Sequence, residues 1–142
     1  MAKNFATGKY VCSNPEKYLG DVNNITYRSS WELYFNEYVD NAPHVKFWAS
    51  EGIEIHYYHP FYKEMRRYYP DYFVVYVDQD GKEHKEIIEV KPEKQIFIPK
   101  KASKDQQITH TINLAKWDAC KKYCDKNDIV FRLCSEEQLF KK

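Results

Sequence analysis

Apolar positions recur at helical spacing at Trp31, Phe35, Tyr38 and Val39, predicting an amphipathic helix from Ser29 or Ser30 to about Asp40. Asn41-Ala42-Pro43 ends it. Val45–Trp48 reads as a strand. So does Ile53–Tyr58, where Ile53, Ile55 and Tyr57 alternate with Glu54 and His56. His59–Arg67 is polar and basic and reads as a connection. Tyr72–Val77 is an apolar run of β-branched and aromatic residues, and Glu86–Val90 is a second short strand beyond the turn Gln79-Asp80-Gly81. Pro92 ends that strand, because proline cannot donate to a ladder. A long helix follows over Ile108–Asn127, with Ile108, Ile112, Ala115, Ala119 and Tyr123 near one stripe. Ile129–Leu133 is a final strand, and Ser135-Glu136-Glu137 opens a short terminal helix. Residues 1–26 are polar and irregular, with turn signals at Asn14-Pro15 and Gly20-Asp21, and read as a surface arm. The order of helix, three or four strands, helix and strand predicts an α/β (α+β) fold in one domain: a mixed β-sheet flanked by helices.

A chain of 142 residues suits one hydrophobic core. Its 43% hydrophobic and 30% charged residues exclude disorder for most of the length. No apolar run approaches the length of a membrane span, and the N-terminus has no signal-peptide core, so no membrane partner is expected and a cytosol-like compartment is. Cys120 and Cys124 lie four apart in the helical pattern and, with Cys134 and a histidine, offer zinc a weak ligand set. The spacing has no C-x2-C knuckle, so these and Cys12 read as ordinary free thiols.

The chemistry concentrates around the predicted hairpin. A three-residue loop with glycine third is a common hairpin type. Centring it on Asp80 places Asp71 opposite Glu89, nine residues to either side. Opposed residues share a face, and Glu89 and Lys91 share one by alternation. Two carboxylates and an ammonium therefore converge at one sheet edge, after Pro70 and before Pro92. Taken singly, each is a surface charge or a turn residue; their opposed register makes the set. Two carboxylates suit Mg²⁺, with Mn²⁺ as substitute, for phosphodiester hydrolysis, and a lysine beside them suits the charge that develops. Glu32 is open between two uses: the Ser29-Ser30-Trp31-Glu32 capping box, or a further metal ligand from an adjacent helix. Glu51 is a weaker candidate and reads as a turn or strand-start residue.

The net charge is only +1, so any polyanion must be met by local clusters. Lys63, Arg66 and Arg67 precede Asp71, while Lys94, Lys100, Lys101 and Lys104 follow Lys91. Charge runs are usually solvated faces, but these two bracket the carboxylates and read as DNA-binding. Tyr68 and Tyr69 suit core packing first and stacking on a frayed base second.

The Pro-Asp and Glu-x-Lys elements resemble the PD-(D/E)xK nuclease superfamily, whose fold is that of restriction endonucleases. Tyr27-Arg28-Ser29-Ser30-Trp31-Glu32, Trp48-Ala49-Ser50-Glu51, Arg66-Arg67-Tyr68-Tyr69-Pro70-Asp71 and Ile88-Glu89-Val90-Lys91-Pro92 extend the likeness. In order, they resemble the head-completion nucleases of contractile-tailed phages, over most of the chain, and are similar to transposon-end endonucleases. The resemblance implies a nuclease domain over 27–142 and Mg²⁺-dependent cleavage by Asp71, Glu89 and Lys91, with Glu32 joining the metal site. It implies double-stranded DNA or its ends as partner, phage head or neck proteins as neighbours, and a place in the virion, reached through the host cytoplasm during assembly. The rivals are a catalytically inactive nuclease-fold head protein that only binds DNA, and a zinc-stabilised binding module. The inserted Ala42 between Asn41 and Pro43 departs from the family pattern in a loop, and Pro92–Asp105 matches it weakly.

Overall fold

Helix α1 (Ser30–Asn41) starts where the sequence places it. Ser29 holds extended backbone and its hydroxyl accepts the Glu32 N–H at 3.3 Å. The Glu32 carboxylate reaches back to the Arg28 N–H at 2.9 Å, one residue further out than the expected box. The computed structural model describes residues 7–140.

The central sheet has four strands in the order β3 (Val45–Ser50), β6 (Tyr72–Val77), β7 (Glu83–Val90) and β8 (Val130–Cys134). The first two pairings are antiparallel and β7–β8 is parallel, which makes the sheet mixed. The parallel pairing needs a long crossover, supplied by α2 (Glu93–Ile96) and α3 (Lys104–Lys126). This is the expected restriction-endonuclease-like α+β architecture. The β6–β7 register runs from Tyr72 opposite Ile88 to Val77 opposite Glu83, so every pair is centred on Asp80. Gly81 takes φ +82°, and the Asp78 carboxylate closes the turn by accepting the Asp80 and Lys82 N–H groups at 2.9 and 3.0 Å.

Alternation along β6 and β7 builds a core on each face of the sheet. Tyr72, Val74, Ile88 and Val90 pack with Phe35 and Val39 of α1 and with Trp48. On the other face Phe73 and Ile87 pack with Trp117, Cys120 and Cys124 of α3. The same core takes Ile55 and Tyr57 of β4 (Ile55–His59) and Tyr68 of β5 (Glu64–Tyr68).

Four expectations need correction. Residues 7–26 are no surface arm: β1 (Gly8–Lys9) pairs with β2 (Thr26–Tyr27), and Tyr10 and Ile25 are buried in the α1-side core. The fully buried Asp40 fixes this segment, accepting from the Tyr10 hydroxyl at 2.7 Å and from the Ser13 and Asn14 N–H groups at 2.7 and 3.0 Å. Single anchors spaced among polar residues leave no period to read. The part of the expected arm at residues 1–6 lies outside the described residues. Second, only residues 60–63 of the connection 59–67 are turn: His59 ends β4, and from Glu64 the chain is strand β5, which pairs antiparallel with β4. Its Glu64, Met65, Arg66 and Arg67 are all exposed, so it shows no alternation. Third, α3 begins at Lys104, where Ser103 and Gln106 form a reciprocal capping box, and its buried stripe is Asn113, Trp117, Cys120 and Cys124. Ile108 is exposed, while Ile112, Ala115, Ala119 and Tyr123 only flank that stripe. Fourth, Tyr38 on α1 is 52% exposed, whereas Asn36, unforeseen, is fully buried and accepts the Tyr72 hydroxyl at 2.6 Å. All four cysteines are free thiols. The short helix α4 (Glu136–Phe140) closes the described chain.

Candidate active site

Asp71 sits one step before β6, and three backbone connections hold it. Its N–H donates to Glu89 Oε1 at 3.3 Å, its Oδ2 accepts the Val90 N–H at 2.8 Å, and its C=O accepts the Glu51 N–H at 3.0 Å. Continuing the β6–β7 register by one pair sets Asp71 against Glu89, as the hairpin count predicts. Each carboxylate thus takes a backbone donor from the opposite strand. Lys91 continues β7 by donating its N–H to the Cys134 C=O at 3.0 Å, and its Nζ stands 3.8 Å from Glu89 Oε2. Asp71, Glu89 and Lys91 therefore meet at one end of the sheet.

The site is electrostatically loaded. Burial first, then the Glu89 charge, then Glu32, push the Asp71 carboxyl up to about 7. Burial also raises Glu89, whose side chain is 6% exposed, against the opposing pull of Lys91. Two carboxylates buried side by side each disfavour the other's charged form. Among the described residues no three His, Cys, Asp or Glu side chains form a closed metal-ligand group. The pair offers two carboxylates held by the backbone of one hairpin. That set fits Mg²⁺, which keeps several waters and uses one or two protein carboxylates. Cys120, Cys124 and Cys134 belong to no such group either.

Glu32 stands outside the pair. Its carboxylate serves the Arg28 N–H, and burial raises it, yet its charge is felt at Asp71. Glu51 lies in the left-handed region at φ 52°, beside the site through its N–H bond to Asp71, with its carboxylate on Arg28 Nη1 at 3.0 Å. The backbone of Glu51, more than its charge, fixes the position of Asp71.

Two residues of this site are not among the sequence candidates for it. The buried Tyr68 hydroxyl lies beside Glu89, short of a well-formed hydrogen bond, and burial raises it strongly. Lys116 of α3 lies over the Tyr57 and Tyr68 rings at 5.8 and 5.6 Å from their centroids. Burial and the Lys91 charge lower its pKa, and Glu89 opposes them, so it is a second ammonium at the same end of the sheet. The expected core use of Tyr68 holds, while Tyr69 is 44% exposed and donates to Glu54 at 2.7 Å.

The seven basic candidates are all exposed. Arg66 and Arg67 lean on Glu64 and Glu54 at 2.8 and 3.9 Å. Lys63 is at the tip of the β4–β5 hairpin, Lys94 is on α2, and Lys100, Lys101 and Lys104 lead into α3. Lys94 also lines a crevice of about 310 Å³ between α2 and α3, with His110 and Asn113.

A mixed sheet with Asp71 just before one strand and Glu89-x-Lys91 at the end of its partner is the architecture of the restriction-endonuclease-like class. Comparison with known proteins makes the placement specific: residues 42–136 match the family model TnsA-like endonuclease N terminal, and the chain belongs to that family. It is also 35% identical over 143 residues to the head completion nuclease of Enterobacteria phage T4, covering 94% of this chain and 93% of that protein. No solved structure matches. Among the described residues no helix is long and apolar enough to cross a membrane.

Proposed function

We propose that this nuclease is a metal-dependent endodeoxyribonuclease that hydrolyses phosphodiester bonds at DNA ends in a filled phage head, before tail joining. The observation that carries the reading is the Asp71–Glu89 pair: two buried carboxylates, locked by reciprocal backbone hydrogen bonds, with Lys91 at 3.8 Å. Asp71 and Glu89 would hold Mg²⁺ or Mn²⁺, with Glu32 in a peripheral place. When bound there, such an ion would supply Lewis acidity toward a phosphoryl oxygen and a water. Lys91 offsets the negative charge that gathers on the phosphorus oxygens as water attacks and the ester bond breaks. Lys116, over the Tyr68 ring, adds positive potential from the helix side. The hydrogen-bonded backbone fixes both carboxylates before substrate arrives, so little reorganisation is left for the reaction.

The likeness to a phage head completion nuclease spans both chains almost fully and includes α1 with Glu32, whereas the transposon-type model leaves out residues 1–41. This supports the virion role over transposon-end cleavage, with head or neck proteins as neighbours. The test is incubation of supercoiled plasmid and of linear DNA with Mg²⁺, Mn²⁺ or EDTA. Metal-dependent cuts support the enzyme, and uncut DNA under every condition supports an inactive, DNA-binding head protein.

A further inference from the structure

We propose that the β4–β5 hairpin is a binding site for unpaired nucleotides, which directs cleavage to DNA carrying a single-stranded segment beside the cut. The proposal names the substrate class for the nuclease reading above and rests on it.

The ribbon has two unlike faces. Ile55, Tyr57 and Tyr68 are buried against α3. Tyr58 and Met65 form a directly opposed cross-strand pair on the other face, 56% and 61% exposed, and His56 opposite Arg67 is the next pair on that face. The tip adds Phe61, which is 49% exposed. With Tyr62, 64% exposed, four large side chains meet water on one narrow ribbon, an exposed patch of the kind that marks a binding surface.

The tip is rigid. His59 Nδ1 accepts the Phe61 and Tyr62 N–H groups at 3.2 and 3.1 Å, and its C=O accepts the Lys63 N–H at 2.8 Å. Tyr62 stacks on the His59 ring at 4.4 Å between centroids and 16° between planes, and the Arg66 guanidinium lies 4.6 Å from its centroid. Tyr62 is thus spent as a brace, and Lys63 is held at φ 53°. A braced tip presents Phe61 and Tyr58 with little ordering left to lose on binding.

Charge chooses the occupant. Between residues 55 and 69 there are three basic side chains, Lys63, Arg66 and Arg67, against one acidic, Glu64, in a chain whose totals are 22 and 21. Arg66 pairs with Glu64, and Glu54 at the ribbon's base contacts His56 and Arg67, which leaves Lys63 at the tip outside these ion pairs. Aromatic faces interleaved with cations suit a flexible polyanion whose bases are free to stack. Paired bases in a duplex already stack on one another, so only unpaired nucleotides offer ring faces. The distance fits as well. Tyr68 packs beside Glu89, and Met65 lies three residues earlier, about 10 Å at ~3.3 Å per residue. That is a reach of a few nucleotides along a strand.

The test is binding in EDTA, where nothing is cut, of a short duplex that is either blunt or carries a single-stranded tail containing 2-aminopurine. The full chain should bind the tailed duplex about tenfold more tightly and quench the tail fluorescence. Tyr58→Ala with Phe61→Ala should remove both effects and leave blunt-duplex affinity unchanged. Tyr58→Phe should keep them, because the ring face remains. Met65→Ala, read alone, guards against a folding defect in the double variant and should weaken tail binding by about threefold, a minor share of one stacked base. Equal affinity for tailed and blunt DNA, no quenching, or parallel loss on both DNAs in the double variant would overturn the proposal. A chain that grips the tail yet cuts no DNA would leave the stacking site standing and remove the nuclease reading; cleavage without tail preference would do the reverse.

Discussion

Asp71 and Glu89 each accept a backbone N–H from the other's side of the hairpin: Asp71 N–H on Glu89 Oε1, and Val90 N–H on Asp71 Oδ2. The arrangement fixes two like charges close together in a buried place, and burial pushes the Asp71 carboxyl up to about 7. Such a pair is held ready for a cation and is unfavourable without one.

Stability without metal should therefore fall as pH rises. Asp71 has a folded-state pKa above its ordinary 3.8. Its contribution is thus fully present below about pH 4 and lost as pH passes the folded value near 7. Asp71→Asn keeps an acceptor for Val90 N–H and carries no charge. In EDTA at pH 8 it should melt several degrees above the wild type, and the difference should vanish near pH 4. A variant that melts no higher at pH 8 would show that the charge is already balanced.

Glu32 separates into cap and charge. Glu32→Gln retains an oxygen for the Arg28 N–H, so stability should change little, and cleavage should drop if the carboxylate reaches the metal region. Glu32→Ala removes the hydrogen bond to the Arg28 N–H as well and should cost about 1 kcal/mol in denaturant melts. Full activity in Glu32→Gln would confine the residue to capping.

Lys116 should matter to rate more than to fold. Lys116→Ala removes an ammonium felt by both Glu89 and Lys91. Turnover should fall about tenfold, less than the ~10²- to 10³-fold expected for Lys91→Ala. Lys116→Arg should restore most of it. If Lys116→Ala cuts at the wild-type rate, this lysine only packs on Tyr57 and Tyr68.

The basic clusters are tested by salt. Replacing Arg66, Arg67, Lys100 and Lys101 together should weaken duplex binding broadly. The log–log salt slope should flatten by about 0.9 for each phosphate no longer neutralised by the protein. An unchanged slope would mark those exposed side chains as plain solvated surface.

The hairpin was legible because two independent signals agreed: the apolar β-branched and aromatic run of β6 followed by a second short strand, and a glycine at the one turn position that takes φ +82°. That register alone brings Asp71, Glu89 and Lys91 together. Strand β5 was hidden because its side chains from Glu64 to Arg67 all meet water. The N-terminal segment was hidden because Tyr10 and Ile25 are isolated anchors whose partners, such as Asp40, lie far along the chain. On α3 the period was visible but its phase was not: Trp117 and two cysteines outweigh the isoleucines that seemed to set the stripe. Without that phase, Lys116 could not be aimed at the site.

The most direct measurement is single-turnover cleavage of a linear DNA with wild type, Asp71→Asn, Glu89→Gln and Lys91→Ala, each with Mg²⁺ and with EDTA, after melts confirm folding. Wild type should cut only with the metal. Both carboxamide variants should be inactive, because each keeps the backbone hydrogen bond and loses a metal-binding charge, while Lys91→Ala should retain activity ~10²- to 10³-fold lower. Cleavage by Asp71→Asn at the wild-type rate, or wild-type cutting undiminished in EDTA, would contradict a metal-dependent site built on Asp71 and Glu89.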